Sequence, residues 1–181
     1  MEFINLYSTP QVQQKELELG FNKCFVEEQN LTHSKKQNVR VKVLSASNCQ
    51  LLIKQLNSPI SNSIILVTPF SQSGFFKEEA LYALVGSMAL KNHPISFHLP
   101  LVNLLESQSV FRCRFAYQAS RFIEKAQKYN CPVCLTSGAK TIWQAKSPLE
   151  HIAIAQSLYG ITNSQANYFL SSEPTNLLKK L

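Results

Sequence analysis

Between positions 112 and 128, basic residues recur at a spacing that a helix would gather onto one side. These are Arg112, Arg114, Arg121, Lys125 and Lys128. At about 100° per residue, Arg114, Arg121, Lys125 and Lys128 fall within roughly 60° of one another. Phe115, Ala119, Phe122, Ala126 and Tyr129 form a separate apolar face, about 100° away. The chemistry open to such a stripe is neutralisation of a polyanion, because the planar fork of Arg binds two phosphate oxygens at once. A merely solvated helix face is the other reading, and spacing alone leaves both standing. Arg112 thickens the basic region, and Glu124 offsets only part of it.

A second group follows a buried strand. Lys140 and Lys146 bracket a loop that carries Trp143. In parallel α/β domains, ligands meet the carboxyl ends of strands. Cations interleaved with an aromatic suit RNA, whose bases stack while its phosphates pair. Trp143 reads either as a stacking platform or as a core plug. Ser147-Pro148-Leu149-Glu150 is a helix start: Ser147 caps, Pro148 takes the first position and Glu150 closes a capping box. Leu149, Ile152, Ala153 and Leu158 are the candidates to pack inward.

Other chemistries find little support. Cys131 and Cys134 make a CxxC, but no second pair follows, and on a strand the two face opposite sides. We read Cys24, Cys49, Cys113, Cys131 and Cys134 as structural, since scattered spacing does not describe a secreted disulfide framework. His33, His93, His98 and His151 show no HxH or HExxH spacing, and Asp is absent, all 11 acids being Glu. Clustered carboxylates or His for a catalytic metal are therefore missing from the pattern. No Gly-rich phosphate loop or GxSxG elbow occurs. No cofactor is expected.

The elements that must position these residues alternate. Strands are expected at Phe3–Tyr7, Lys23–Val26, Val39–Leu44, Ile64–Val67, Ile95–Leu99 and Pro132–Leu135. Helices are expected from Pro10 toward Gly20 and from a Ser47 cap to Leu56. Further helices should span Lys77–Leu90, Arg114–Tyr129, Pro148–Tyr159 and about Ser164–Leu170, with a short tail at Leu177–Leu181. Glu27–Asn38 and Pro69–Phe76 read as loops. Alternation of this kind argues for parallel strands joined by helical crossovers. No linker or repeat divides residues 1–181, so one domain is expected.

At 181 residues the chain is short for a closed (β/α)8 barrel, which usually takes about 250. A hydrophobic share of 45% supports a packed core rather than disorder. The net charge of +7 favours nucleic acid or another polyanion as partner. No apolar run has the roughly 18 residues of a membrane span, and the first residues lack signal-peptide character, so a soluble cytoplasmic protein is expected.

An ordered set of motifs over about residues 95–178 resembles the ribonuclease P protein component 3 family. It comprises Arg114, Arg121, Ala126, Lys128 and Tyr129, then Leu135-Thr136-Ser137-Gly138-Ala139. Ser147-Pro148, Leu158-Tyr159-Gly160-Ile161 and the stretch Ala166–Pro174 complete it. The resemblance implies a TIM-like (β/α) barrel, shortened or incomplete, related to metal-hydrolase barrels but without their metal site. Phe3-Ile4-Asn5-Leu6-Tyr7 stands where metal-binding relatives carry a His-x-His pair. It also implies a non-catalytic protein subunit supporting the ribonuclease P RNA, which removes 5′ leaders from precursor tRNA. A smaller ferredoxin-like protein subunit is the implied partner, and the exposed edge of the shortened barrel is where it is expected. Precursor tRNA would be met only indirectly, and no membrane is involved. Leu149-Glu150 and Gln144-Ala145-Lys146 depart from the family pattern, with Lys146 replacing one cation without the fork of Arg. Expected RNA contacts are Arg112, Arg114, Arg121, Lys125, Lys140 and Lys146. The alternatives are a stand-alone small TIM-like phosphoesterase or lyase, and an interaction scaffold that does not touch RNA.

Overall fold

The computed structural model describes residues 2–26, 40–57, 63–71, 74–89, 94–106 and 109–181. The expected Glu27–Asn38 loop, His33 and His93 lie outside the described residues. The described strands in chain order are β1 (Ile4–Ser8), β2 (Lys23–Val26), β3 (Arg40–Leu44), β4 (Ser63–Val67), β5 (Phe70–Ser71), β6 (Gly74–Phe75), β7 (Ile95–Pro100) and β8 (Val133–Thr136). Helices are α1 (Pro10–Glu18), α2 (Cys49–Leu56), α3 (Glu78–Ala89), α4 (Leu101–Glu106), α5 (Ser109–Lys128), α6 (Pro148–Tyr159), α7 (Asn163–Asn167) and α8 (Glu173–Lys179). The architecture is α/β, as its alternating pattern requires.

β3, β4, β7 and β8 form a parallel sheet in that order, and β1 pairs with β2 in parallel. Two backbone-linked contacts carry β1 onto the end of β8: the Gly138 N–H donates to the Tyr7 carbonyl at 3.3 Å, and the Ser137 N–H to Asn5 Oδ1 at 3.1 Å. Among the described residues the strands form these separate sheets, not one closed ring.

Strand alternation sorts side chains between two cores. Ile65 and Val67 of β4, Phe97 and Leu99 of β7, and Val133 and Leu135 of β8 join the larger core beneath the helices. Ile64 and Leu66 face the other way, with Ile4, Leu6, Val41, Cys134 and Leu177. That second face turns polar toward the carboxyl ends of the strands, where Thr68, His98 and Thr136 lie side by side. Cys131 packs against the first core and Cys134 inside the second, so the CxxC cannot close on one ion. Burial pushes both thiols up.

Several boundaries differ from expectation for local reasons. Asn48, not Ser47, caps α2, its side chain accepting from the Leu51 N–H at 3.0 Å. The Pro69–Phe76 loop contains the short antiparallel pair β5–β6, held by ring contacts of Phe70 and Phe75 with Phe115 at 5.0 Å each. A helix, α4, begins directly after Pro100, and α5 starts at Ser109 rather than Arg114. The C-terminal helix is three segments: α7 and α8 are joined by a π-helical turn, Tyr168–Ser172. The start of α6 is as read: the Ser147 N–H donates to Glu150 Oε2 at 2.7 Å, and the Glu150 N–H to Ser147 Oγ at 3.3 Å. Gly160 ends that helix at φ 67. On α6, however, Ile152 is buried while Leu149 is 71% exposed and Ala153 also faces solvent.

Candidate nucleic-acid interface

α5 is amphipathic as its spacing predicts. Ala119, Phe122 and Ala126 are buried, and Arg114, Arg121 and Lys128 are exposed on the adjoining face. Tyr129 departs from the apolar face: it is 43% exposed and meets Tyr82 of α3 edge-on at 5.3 Å. Lys125 is half-buried along the same groove between α3 and α5. The cationic row from Arg114 to Lys128 runs about 21 Å along the helix at 1.5 Å per residue.

Arg112 does not join that row. Its Nη2 donates to the Leu105 carbonyl at 3.0 Å and satisfies one of the open carbonyls at the end of α4. Lys146 is half-buried beside Glu150, whose carboxyl is held below the usual range first by the Ser147 N–H. Lys140 is exposed at the start of a loop that Gln144 organises. Gln144 Oε1 accepts from the N–H groups of Lys140 and Thr141 at 2.7 and 3.1 Å, while its amide donates to Glu106 of α4. Trp143, in that loop, is 85% exposed and so is no core plug.

Arg114 and Lys140 are brought together by a cleft of about 1260 Å³. It opens at the carboxyl ends of β1, β3, β4, β7 and β8, with Tyr7, Ser45, Thr68, His98 and Gly138 among its lining. One face of α5 forms a wall through Phe111, Arg114, Phe115 and Gln118, which follow the i, i+3, i+4, i+7 rule. His98 is locked in place: Thr68 Oγ1 lies 2.8 Å from its Nε2 and Thr136 Oγ1 3.2 Å from its Nδ1. Burial pushes its imidazole down to about 3, so the ring is neutral at physiological pH. Tyr7 packs edge-on against it at 5.6 Å. The cleft can therefore offer neutral hydrogen-bonding groups on its floor and two cations at its rim, against the Glu106 carboxylate. Among the described residues no three His, Cys or Glu side chains converge as a metal site.

Sequence reasoning missed Phe111, Gln118, Ser45, Thr68 and His98. For the residues of α5 the signal was present, since the helix spacing extends back to Phe111. Thr68, His98 and Thr136 lie far apart in the chain, and only strand register unites them.

The Ser137-Gly138-Ala139 turn, by which the cleft floor is fixed, is stitched on several sides. Besides the bonds to β1, the Val102 N–H donates to the Ser137 carbonyl at 3.1 Å, and Thr9 Oγ1 to the Ala139 carbonyl at 3.3 Å. Asn5 completes it: its side-chain oxygen accepts from Ser137 and Tyr7, and its amide donates to buried Glu16 at 2.8 Å.

No family model matches the chain. It is 28% identical over 138 residues to ribonuclease P protein component 3 of Methanosarcina mazei, covering 74% of this chain and 57% of that protein. It is 29% identical over 120 residues to the protein of the same name from Methanococcoides burtonii, covering 66% and 47%. For Methanothermobacter thermautotrophicus the identity is 24% over 115 residues, covering 64% and 45%. The chain thus spans about half the length of the curated relatives it matches. Its fold is similar to that of a chain in a cryo-EM structure of archaeal ribonuclease P with mature tRNA, at TM-score 0.65 and 15% identity, covering 98% of this chain and 90% of that one. In sequence, the chain resembles the archaeal ribonuclease P protein component 3 proteins, and its fold is that of a chain found in such a particle.

Proposed function

We propose that the chain is a protein subunit of ribonuclease P that binds and supports its catalytic RNA, the RNA performing the cleavage of precursor tRNA. The observation that carries this is the cationic row of α5, with Lys140 lining the same cleft as Arg114, on a chain similar to ribonuclease P component 3 proteins. Arg114, Arg121, Lys125 and Lys140 are the proposed phosphate contacts. Lys146 is a peripheral one, and Arg112 acts chiefly by holding the end of α4. The remaining parts of the reading are a single domain with a shortened TIM-like barrel, a smaller ferredoxin-like protein partner and a cytoplasmic location. The β1–β8 hydrogen bonds support the barrel, since they continue the strand order past the edge of the larger sheet. No helix among the described residues is long and apolar enough to cross a membrane.

Recovery of RNA with the tagged protein, followed by sequencing, tests the reading; it predicts enrichment of the ribonuclease P RNA. The log–log salt slope of binding should fall by about one unit for each of Arg114→Ala and Arg121→Ala. An unchanged slope and affinity in the double variant would remove the row from the interface. Hydrolysis of phosphoesters by the protein alone, with stoichiometric metal, would favour the stand-alone phosphoesterase instead.

A further inference from the structure

We propose that the cleft at the strand ends holds a single nucleoside monophosphate moiety, met either as an unpaired residue of an RNA chain or as a free mononucleotide. This deepens the RNA-binding reading and rests on it, because the cationic row of α5 leads along the helix into the cleft at Arg114.

Each part of a nucleotide finds its chemistry there. Phe111 is 63% exposed at the mouth, one helical turn before Arg114. A large ring left in water beside a cation is a stacking surface for a base, and stacking is tolerant of base identity. Arg114 and Lys140 line the same cleft from different elements, α5 and the loop after β8, and supply it with cations suited to a phosphate. Glu106 shares the cleft, its carboxylate held by the Gln144 amide, and its single charge is outnumbered by the two cations. The Ser45 hydroxyl, just after β3, also lines the cleft and is suited to the sugar. The volume of about 1260 Å³ lies above the roughly 300–1,000 Å³ common for small-molecule pockets, so one nucleotide does not exhaust the cleft. The floor is pre-organised, since Thr68, His98 and Thr136 already hold one another across three strands. A neutral His98 places no charge beneath the base or sugar.

The test is titration of the isotope-labelled full chain with adenosine 5′-monophosphate and with adenosine, followed by amide chemical shifts. The expected result is a saturable shift of Thr68, His98, Gly138 and Lys140 with the monophosphate, and binding several-fold weaker for adenosine. Phe111→Ala should weaken the monophosphate roughly tenfold. Lys54→Ala, on the exposed face of α2 and outside the cleft, should leave it unchanged. Both side chains are exposed, so each variant keeps the fold. Single-stranded RNA carrying 2-aminopurine then identifies the source. Quenching that is lost in Phe111→Ala assigns the site to RNA, while cleft shifts without quenching assign it to free mononucleotide. Shifts confined to the outer face of α5, or cleft shifts unaltered by Phe111→Ala, would overturn the proposal. Its failure is separable from that of the ribonuclease P reading, which stands or falls on the RNA recovered with the protein.

Discussion

Gly138, Gly160 and Gly86 make a graded test of how tightly the turn beneath the cleft is clamped. Gly138 has φ +61, and a Cβ placed on it would lie 2.7 Å from Pro100 Cβ and 3.0 Å from Val102 Cγ1. Gly160 has φ +67, but its Cβ would meet only Ser120 Oγ, at 4.0 Å. Gly86, inside α3, would meet nothing within 4 Å. A side chain in the left-handed region costs about 1–2 kcal/mol. Forcing atoms into a packed site costs about 1–3 kcal/mol more, and the rigid ring of Pro100 has little room to yield. Gly138→Ala should therefore destabilise by about 2–5 kcal/mol, and Gly160→Ala by about 1–2. Gly86→Ala should stabilise by about 0.5–1 kcal/mol, because alanine is the better helix former. The loss of unfolded-state freedom is common to all three and cancels in the comparison. Urea unfolding resolves the series: with a slope of about 1–3 kcal/mol per M, a 3 kcal/mol change moves the midpoint by about 1 M or more. If Gly138→Ala proved no worse than Gly160→Ala, the close approach of the turn to Pro100 and Val102 would be refuted.

Other outcomes follow from buried polar groups and caps. Burial lowers His98 to about 3 and His151 to about 4, both below the ordinary value. Between those values and about 6.5 the unfolded chain binds more protons, so stability is full above pH 6.5 and is lost as pH falls. Each histidine contributes up to about 1.4 kcal/mol per pH unit, and urea midpoints of His98→Gln between pH 6.5 and 4 should show a slope shallower by about one proton. Asn5→Ala strips partners from the Ser137 N–H and buried Glu16, and should cost about 3–5 kcal/mol by the same assay. Asn48→Ala should cost about 1 kcal/mol and Ser47→Ala clearly less, since Asn48 alone caps α2.

Local signals in the chain were legible and distributed ones were not. The capping box at Ser147–Glu150 and the glycine that closes α6 depend on neighbours within a few residues, and they stand as read. So does the α5 face, apart from Tyr129 just past the helix end, because its period is a property of the helix alone. Leu149 and Ala153 were misjudged, and Trp143 was left undecided, because an apolar residue at a helix start or in a loop is buried only if another element arrives to cover it. Ser47 and Asn48 are both good capping residues, and backbone geometry rather than type chooses between them. α4 was hidden behind Pro100, which reads as a stop yet directly precedes a helix here. The Arg112 role was hidden with it, because its carbonyl partner belongs to that helix.

The second core has a kinetic meaning. Ile4 and Leu6 come from the first strand and Leu177 from the last helix, so almost the whole chain lies between groups that must meet. Closing so long a loop is entropically dear, and a nucleus rich in such contacts forms slowly. The helical layer can assemble from neighbouring segments while this interior is still open. Amides of β1 and α8 should then gain exchange protection last during refolding, and a strand end that anchors the cleft would be completed only at that final step.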